Sequence, residues 1–133
     1  MEMRSDAPQT AFVLAGGGSL GAIEVGMLRA LVAHGIRPDL IVGSSVGAIN
    51  SVFFAADPTP QGVQRLENIW RGLRRQDVFP LGLTGLARGL IGRQGHFLSP
   101  GALNRLLWDH LPVASLEDTA IPVCVIATDL LRG

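Results

Sequence analysis

Two stretches of this 133-residue chain decide its fold: AFVLAGGGSLG at residues 11–21 and DLIVGSSVG at residues 39–47. In each stretch a short apolar run ends at glycine, and a helix-forming sequence follows. Continuous apolar runs of this kind are typical of strands in a parallel sheet, where both faces are buried. The pattern predicts a strand at residues 11–15, a second strand at residues 40–42, and a helix after each of them.

Helical periodicity sets the bounds of the two helices that follow these glycines. The first predicted helix spans residues 20–34 and ends at Gly35, a residue type that favours helix termination. The second spans residues 46–56 and is closed by Asp57-Pro58. The apolar face predicted for the first helix consists of Leu20, Ile23, Met27, Leu28, Leu31 and Val32.

Two more helices and a third strand are predicted downstream. Thr59-Pro60 and Ser99-Pro100 each resemble an N-cap followed by proline in the first helical turn. The apolar residues 123–127 predict the strand, whereas the Gly- and Leu-rich residues 81–95 predict a loop or a short helix. This order of elements indicates an α/β fold with parallel strands and right-handed crossovers.

Composition and charge exclude several classes of protein. The length favours one domain, which we assign to residues 11–133 after a polar tail at residues 1–10. Hydrophobic residues make up 47% of the chain and charged residues 17%, which excludes a disordered protein. Eleven basic residues balance eleven acidic residues, so no basic field is available to bind nucleic acid.

The sequence also bears on compartment and redox chemistry. The first ten residues contain no apolar leader, and no apolar run is long enough to span a membrane. These features predict a soluble, cytoplasmic protein. The single cysteine, Cys124, falls in the third predicted strand and is expected to be an inert core residue.

The glycine-rich turn after the first strand, residues 16–21, matches the pattern GxGxxG. In dinucleotide-binding proteins such a turn brings backbone N–H groups to a pyrophosphate. That function requires an acidic residue at the end of the second strand, but Asp39 precedes this strand. A phosphate-binding loop would require Lys-Ser or Lys-Thr after the glycines, and neither occurs here. Nucleotide binding is therefore ranked third among the function classes.

A second motif, Gly43-Ser44-Ser45-Val46-Gly47, matches GxSxG where a strand is predicted to turn into a helix. Such a turn presents its central serine outward above a helix N-terminus, and small flanking residues avoid collisions across the turn. We interpret Ser45 as a nucleophile and Ser44 as a turn residue of this nucleophile elbow. The alternative is a Gly-rich turn with a purely structural role.

The two motifs together indicate acyl transfer. The tetrahedral intermediate of this reaction carries a negative oxygen, and each backbone N–H group of an oxyanion hole stabilises it by about 3 kcal/mol. The best donors are expected at residues 17–19 and 46. The candidate oxyanion-hole residues are Gly16, Gly17, Gly18, Ser19, Gly21 and Val46.

The runs AFVLAGGGSLGA at residues 11–22 and DLIVGSSVGAIN at residues 39–50 resemble the patatin-like phospholipase family, and ATDLLRG at residues 127–133 is similar to a later strand of bacterial members. The resemblance implies a three-layer α/β/α fold with a mostly parallel sheet. It also implies a hydrolase that cleaves fatty-acyl esters of phospholipids or related lipids with a Ser-Asp dyad. Ser45 carries over as the nucleophile, and residues 16–21 carry over as the oxyanion-hole segment.

Two features depart from the family pattern. Leu20 stands where many members have a basic residue, and no Asp-Gly dipeptide supplies the aspartate of the dyad. We therefore expect the chain to be the N-terminal portion of a family domain, truncated after the third predicted strand. The alternative is a catalytically incomplete fragment that binds lipid or has a regulatory role. Asp129 is the only acid near a predicted strand end, and we interpret it as structural.

The remaining candidate residues receive other roles. His34 is expected at the C-terminal end of the first helix, and surface or capping roles are expected for His96 and His110. No group of residues has metal-ligand spacing, so neither a metal nor a cofactor is predicted. The expected partner is a lipid or phospholipid ester, and residues 81–92 are predicted either to contact a membrane surface or to form a loop over the sheet.

Overall fold

A computed structural model describes residues 10–73, 105 and 108–129 of the chain. The strands within these residues are β1 (Ala11–Leu14), β2 (Leu40–Ser44) and β3 (Val123–Ile126). Three α-helices are α1 (Gly21–Ala33), α2 (Val46–Ala56) and α3 (Pro60–Gly72), and residues 105 and 108–110 are also helical. A short 3-10 helix, Gly18–Leu20, precedes α1. The elements follow the predicted order, and α2 has the predicted bounds.

The strands form a parallel sheet in the order β1-β2-β3. Leu14 pairs with Gly43, and Ser44 pairs with Ile126. The predicted α/β fold with a parallel sheet is therefore confirmed. Because the strands run in the same direction, their carboxyl ends lie at one edge of the sheet, and the segments that follow them meet there.

The described helices cover one face of this sheet. On that face Phe12, Leu14 and Ile41 are buried and belong to one core with side chains of α1, α2 and α3. On the opposite face Val13 is 73% exposed and Ile126 is 60% exposed. Among the described residues, helices cover only one face of the sheet. The prediction that both faces of the strands are buried is therefore wrong for these residues.

Cys124 lies on the uncovered face. It pairs with Val42 in the sheet, and its side chain is exposed. The prediction of an inert core cysteine is therefore wrong. Alternate residues of a strand point to opposite faces, so the apolar run alone did not show which of its residues would face the helices.

The core lies between the sheet and the three helices. Leu28 of α1, Phe54 of α2 and Leu66 of α3 are each almost completely buried. The ring of Phe54 stacks on that of Phe12, with centroids 6.2 Å apart. Because α2 contacts all three strands, its N-terminus is fixed at the sheet edge where β2 ends.

The buried face of α1 differs from the predicted one. Val25 and Leu28 are buried, whereas Leu20, Ile23 and Met27 are each more than half exposed. The buried residues of α1 are Gly21, Val25 and Leu28, whose spacing of four and three residues places them on one side of the helix. At Gly21 the helix lies close to Trp70 and Val46. The predicted apolar face is therefore wrong at these three exposed positions.

The helix termini predicted at Gly35 and at Thr59-Pro60 are confirmed, whereas Ser99-Pro100 and residues 81–95 lie outside the described residues. Gly35 follows α1 with φ 72°, and the N–H group of Ile36 donates to Leu31 O at 3.0 Å, as in a Schellman motif. At the start of α3, Thr59 Oγ1 accepts a hydrogen bond from the N–H group of Gly62 at 3.1 Å. These caps fix where α1 ends and where α3 begins.

Gly26, in the middle of α1, gives a first testable prediction. A Cβ atom at this position would meet no atom within 4 Å. We expect Gly26→Ala to raise the free energy of unfolding by about 0.5–1 kcal/mol, because alanine loses less backbone entropy than glycine in a helix. Urea unfolding of the two proteins measures this difference, and a less stable variant would contradict the packing described for α1.

Candidate active site

The turn from β2 into α2 places Ser45 at the edge where the strands end. Ser45 has φ 55° and ψ −126°, and among the described residues it is the only non-glycine with positive φ. Such backbone conformations cost on the order of 1–3 kcal/mol, so the surrounding structure has to enforce them. The residue is exposed, and its side chain does not cap α2. The hydroxyl group is thus available to solvent, with the N-terminus of α2 behind it.

Gly43 and Gly47 make this turn sterically possible. A Cβ atom on Gly43 would lie 2.7 Å from Ala48 Cα. A Cβ atom on Gly47 would overlap the carbonyl oxygen of Leu14 and would lie 2.6 Å from that of Ala15. These neighbours are backbone atoms, which cannot move without displacing β1 or α2. Glycine is therefore required on both sides of the turn, as the GxSxG pattern predicts.

The glycine-rich turn after β1 lies against Ser45. A Cβ atom on Gly16 would lie 3.1 Å from Ser45 Cβ and 3.6 Å from Ser45 Oγ. Gly18 then adopts φ 59°, a conformation that glycine accepts at little cost. The N–H group of Leu20 donates to Gly17 O at 3.1 Å as the 3-10 helix leads into α1. The fold thus brings the two sequence motifs into contact.

Backbone N–H groups from both motifs are available near the serine. Within the described part of the chain, the N–H groups of Gly17, Gly18 and Ser19 have no hydrogen-bond acceptor. Val46 is the first residue of α2, where N–H groups lack intrahelical carbonyl partners. The positive end of the α2 dipole adds to the attraction for an anion. This arrangement is able to stabilise a negative oxygen that forms beside Ser45.

A buried polar cluster behind the turn was not predicted from the sequence. The side chain of Asn50 in α2 is fully buried, and its Nδ2 donates to Gly21 O at 2.9 Å and to Glu24 Oε2 at 2.8 Å. Trp70 Nε1 donates to Asn50 Oδ1 at 2.9 Å. The signal for this cluster was an asparagine inside the apolar segment VGAINSVFFAA, since a buried amide requires hydrogen-bond partners.

An exposed charged cluster also joins α1 to α3. Arg71 Nη2 donates to Glu67 Oε1 at 2.6 Å, and Arg29 Nη1 lies 3.3 Å from Glu67 Oε2. The hydrogen bond from Arg71 is the main cause that lowers the pKa of the Glu67 carboxyl, and the charge of Arg29 adds to it. This cluster links the same two helices as Asn50 does, but at the surface.

The histidines of the described residues lie away from Ser45. His34 is the C-cap of α1, as predicted, and its Nδ1 lies 2.8 Å from Ala30 O. His110 lines a groove of 450 Å³ together with Phe53 and Asp57. Phe53 and Asp57 lie at the C-terminal end of α2, opposite the end that carries Ser45. His96 lies outside the described residues.

Other predicted site residues take the following places. Asp129 is exposed and follows β3 at the sheet edge that carries Ser45. Ser44 is the last residue of β2, so the prediction of a turn residue is wrong by one position. Residues 81–92 lie outside the described residues. In the described ranges, no three His, Cys, Asp or Glu side chains come together as metal ligands, and no helix is long and apolar enough to cross a bilayer.

Comparison with known proteins gives a family for this chain. The family model described as patatin-like phospholipase matches residues 12–129. The chain belongs to the patatin-like phospholipase family. The resemblance inferred from the two motifs is therefore confirmed, and membership implies lipid acyl hydrolysis as the general activity of the family.

The relatives that this chain matches are much longer than the chain. A triacylglycerol lipase of Arabidopsis thaliana is 36% identical over 73 residues, which are 55% of this chain and 9% of the lipase. A neuropathy target esterase of Drosophila sechellia is 29% identical over 118 residues, which are 89% of this chain and 8% of the esterase. The chain thus spans less than a tenth of the length of either relative.

Proposed function

We propose that this chain supplies the nucleophile and the oxyanion hole of a serine acyl hydrolase that cleaves fatty-acyl esters of phospholipids or related lipids. The observation that carries this proposal is the contact between the two motifs, in which a Cβ atom on Gly16 would lie 3.1 Å from Ser45 Cβ. This contact supports the proposal, because the N–H groups of residues 17–19 follow Gly16 in the turn that meets Ser45, whose backbone has φ 55°.

The proposed reaction has two steps. Ser45 Oγ attacks the acyl carbonyl carbon, and the hydroxyl proton passes to a general base. The negative oxygen of the tetrahedral intermediate accepts hydrogen bonds from the glycine-rich turn and from the N–H group of Val46. When the ester C–O bond breaks, the leaving alcohol takes the proton from the base. Water then attacks the acyl-serine by the same route and releases the fatty acid.

The general base in this proposal is the aspartate of a Ser-Asp dyad. The 133 residues contain no Asp-Gly dipeptide, so this aspartate has no motif-based candidate in them. A positioned base contributes about 10²- to 10⁴-fold to the rate, whereas the oxyanion hole and substrate binding alone give about 10³-fold over water. The chain by itself is therefore expected to acylate slowly, and a longer form that carries the aspartate is expected to turn over.

A second candidate function is a catalytically incomplete fragment that binds lipid or regulates a partner. The lack of an Asp-Gly dipeptide favours it. In both functions the ligand is a lipid ester taken from a membrane surface. The two functions differ in whether Ser45 becomes acylated, which makes the chemistry of this residue the deciding observation.

Release of fatty acid from phosphatidylcholine vesicles tests the proposed hydrolase. For the longer form, we expect Ser45→Ala to lower the rate by about 10³-fold or more, because no other group replaces the nucleophile. Ser115→Ala is the control, since it changes an exposed serine outside both motifs, and its rate should stay near that of the unchanged protein. Equal release by the unchanged protein and by Ser45→Ala would contradict the proposal.

A further inference from the structure

Asn50 lies one helical turn after Val46 and has no exposed surface. Its amide group is fully used: Nδ2 donates to Gly21 O at 2.9 Å and to Glu24 Oε2 at 2.8 Å, while Oδ1 accepts from Trp70 Nε1 at 2.9 Å. Each partner belongs to α1 or α3. One side chain of α2 therefore joins all three helices directly behind Ser45.

The partners of Asn50 enclose the end of the glycine-rich turn. A Cβ atom on Gly21 would lie 2.7 Å from Trp70 Cζ2 and 2.7 Å from Val46 Cγ2. Gly21 is therefore held between the indole of α3 and the residue that follows the nucleophile. Because Asn50 binds both the carbonyl group of Gly21 and the indole N–H group of Trp70, it holds Gly21 and Trp70 in place against each other.

The chemistry of the cluster matches an asparagine. Two acceptors, a carbonyl group and a carboxylate, face the two hydrogens of the amide, and one indole donor faces its oxygen. An aspartate would present only acceptors to Glu24, and a leucine would form none of the three hydrogen bonds. Polar networks of this kind hold one geometry when every member has its hydrogen-bond partner.

We infer that Asn50 is a positioning residue that sets the distance between the glycine-rich turn and Ser45. The inference rests on the proposed function and names a residue outside the two motifs on which that function depends. Asn50 acts through Gly21 on the N–H groups of residues 17–19. A displacement of about 1 Å at a reacting centre lowers a rate by up to about 10²-fold.

Two variants test this inference by removing different numbers of the hydrogen bonds of Asn50. Trp70→Phe removes the indole donor together with the Cζ2 and Cη2 atoms that lie against Gly21, and it leaves the two hydrogen bonds from Asn50 to α1. Asn50→Leu removes all three hydrogen bonds. Glu67→Gln is the matched control, because it weakens the exposed link between the same two helices. Each protein is examined for its melting temperature, for hydrogen exchange of the Leu20 and Gly21 amides, and for its rate of labelling by a fluorophosphonate.

For Asn50→Leu we expect hydrogen exchange of the Leu20 and Gly21 amides, which donate to Gly17 O and Gly18 O, to speed up about tenfold or more at temperatures where α3 stays protected. Labelling should slow by about 10- to 100-fold, with a smaller change of the same sign in Trp70→Phe and none in Glu67→Gln. Unchanged exchange and labelling below the melting temperature would show a purely structural role and overturn the inference. If the unchanged protein is not labelled at Ser45, the proposed function fails instead, and the exchange data decide whether Asn50 holds the turn.

Discussion

Gly47→Ala is expected to lower the free energy of unfolding by about 3 kcal/mol or more and to remove the reactivity of Ser45. The new methyl group would overlap the carbonyl oxygen of Leu14 and lie 2.6 Å from that of Ala15. Both neighbours are backbone atoms of β1 and of the residue directly after it, so no side-chain rotation relieves the collision. The start of α2 has to move away from β1, and this movement separates Ser45 from the glycine-rich turn.

Chemical denaturation and fluorophosphonate labelling measure the two effects of Gly47→Ala. Gly26→Ala is the matched control, because it adds the same methyl group to a helical glycine with open space around it. We expect the control to be more stable than the unchanged protein and to label at the same rate. A Gly47→Ala variant with normal stability and normal labelling would show that α2 does not meet β1 as described.

Gly21→Ala is expected to have the second-largest effect. It should slow the labelling of Ser45 in a protein that stays folded. Its methyl group would lie 2.7 Å from side-chain atoms of Trp70 and Val46, which are able to shift where backbone atoms are not. We expect a loss of about 1–3 kcal/mol in the free energy of unfolding. The shift occurs between the glycine-rich turn and the residue after Ser45, so labelling should slow by about 10²-fold while the protein stays folded.

The comparison of rate with stability decides the interpretation of Gly21→Ala. Circular dichroism shows whether the variant is folded at the temperature of the labelling assay. A folded variant that reacts at the normal rate would mean that the contact of Gly21 with Trp70 and Val46 does not determine the geometry of the oxyanion hole. An unfolded variant would mean that Gly21 has the same structural importance as Gly47.

The prediction of the fold from the sequence succeeded where local signals are strong. Glycines, prolines and capping residues mark the ends of α1 and α2 and the start of α3, so the order of the elements followed from the sequence, and the bounds of α1 and α2 followed to within one residue. Burial was harder to predict, because it depends on which face of an element meets a neighbour. Ile23 and Cys124 have the hydrophobicity of core residues but lie on faces that no described helix covers.

The candidate site was also predicted in part. GxSxG and the glycine-rich turn were recognised because close backbone approach leaves a pattern of glycines at fixed spacing. Asn50 was missed because its partners, Glu24 and Trp70, are 26 and 20 residues away along the chain. Contacts between residues so far apart depend on the packing of three helices, which no local pattern encodes.

The most direct test of the account is the intact mass of the chain after reaction with a fluorophosphonate. We expect one phosphonyl adduct on the unchanged protein, formed slowly by the 133-residue chain and faster by a longer form, and no adduct on Ser45→Ala. An adduct on Ser45→Ala, or no adduct on either form of the unchanged protein, would contradict the assignment of Ser45 as the nucleophile.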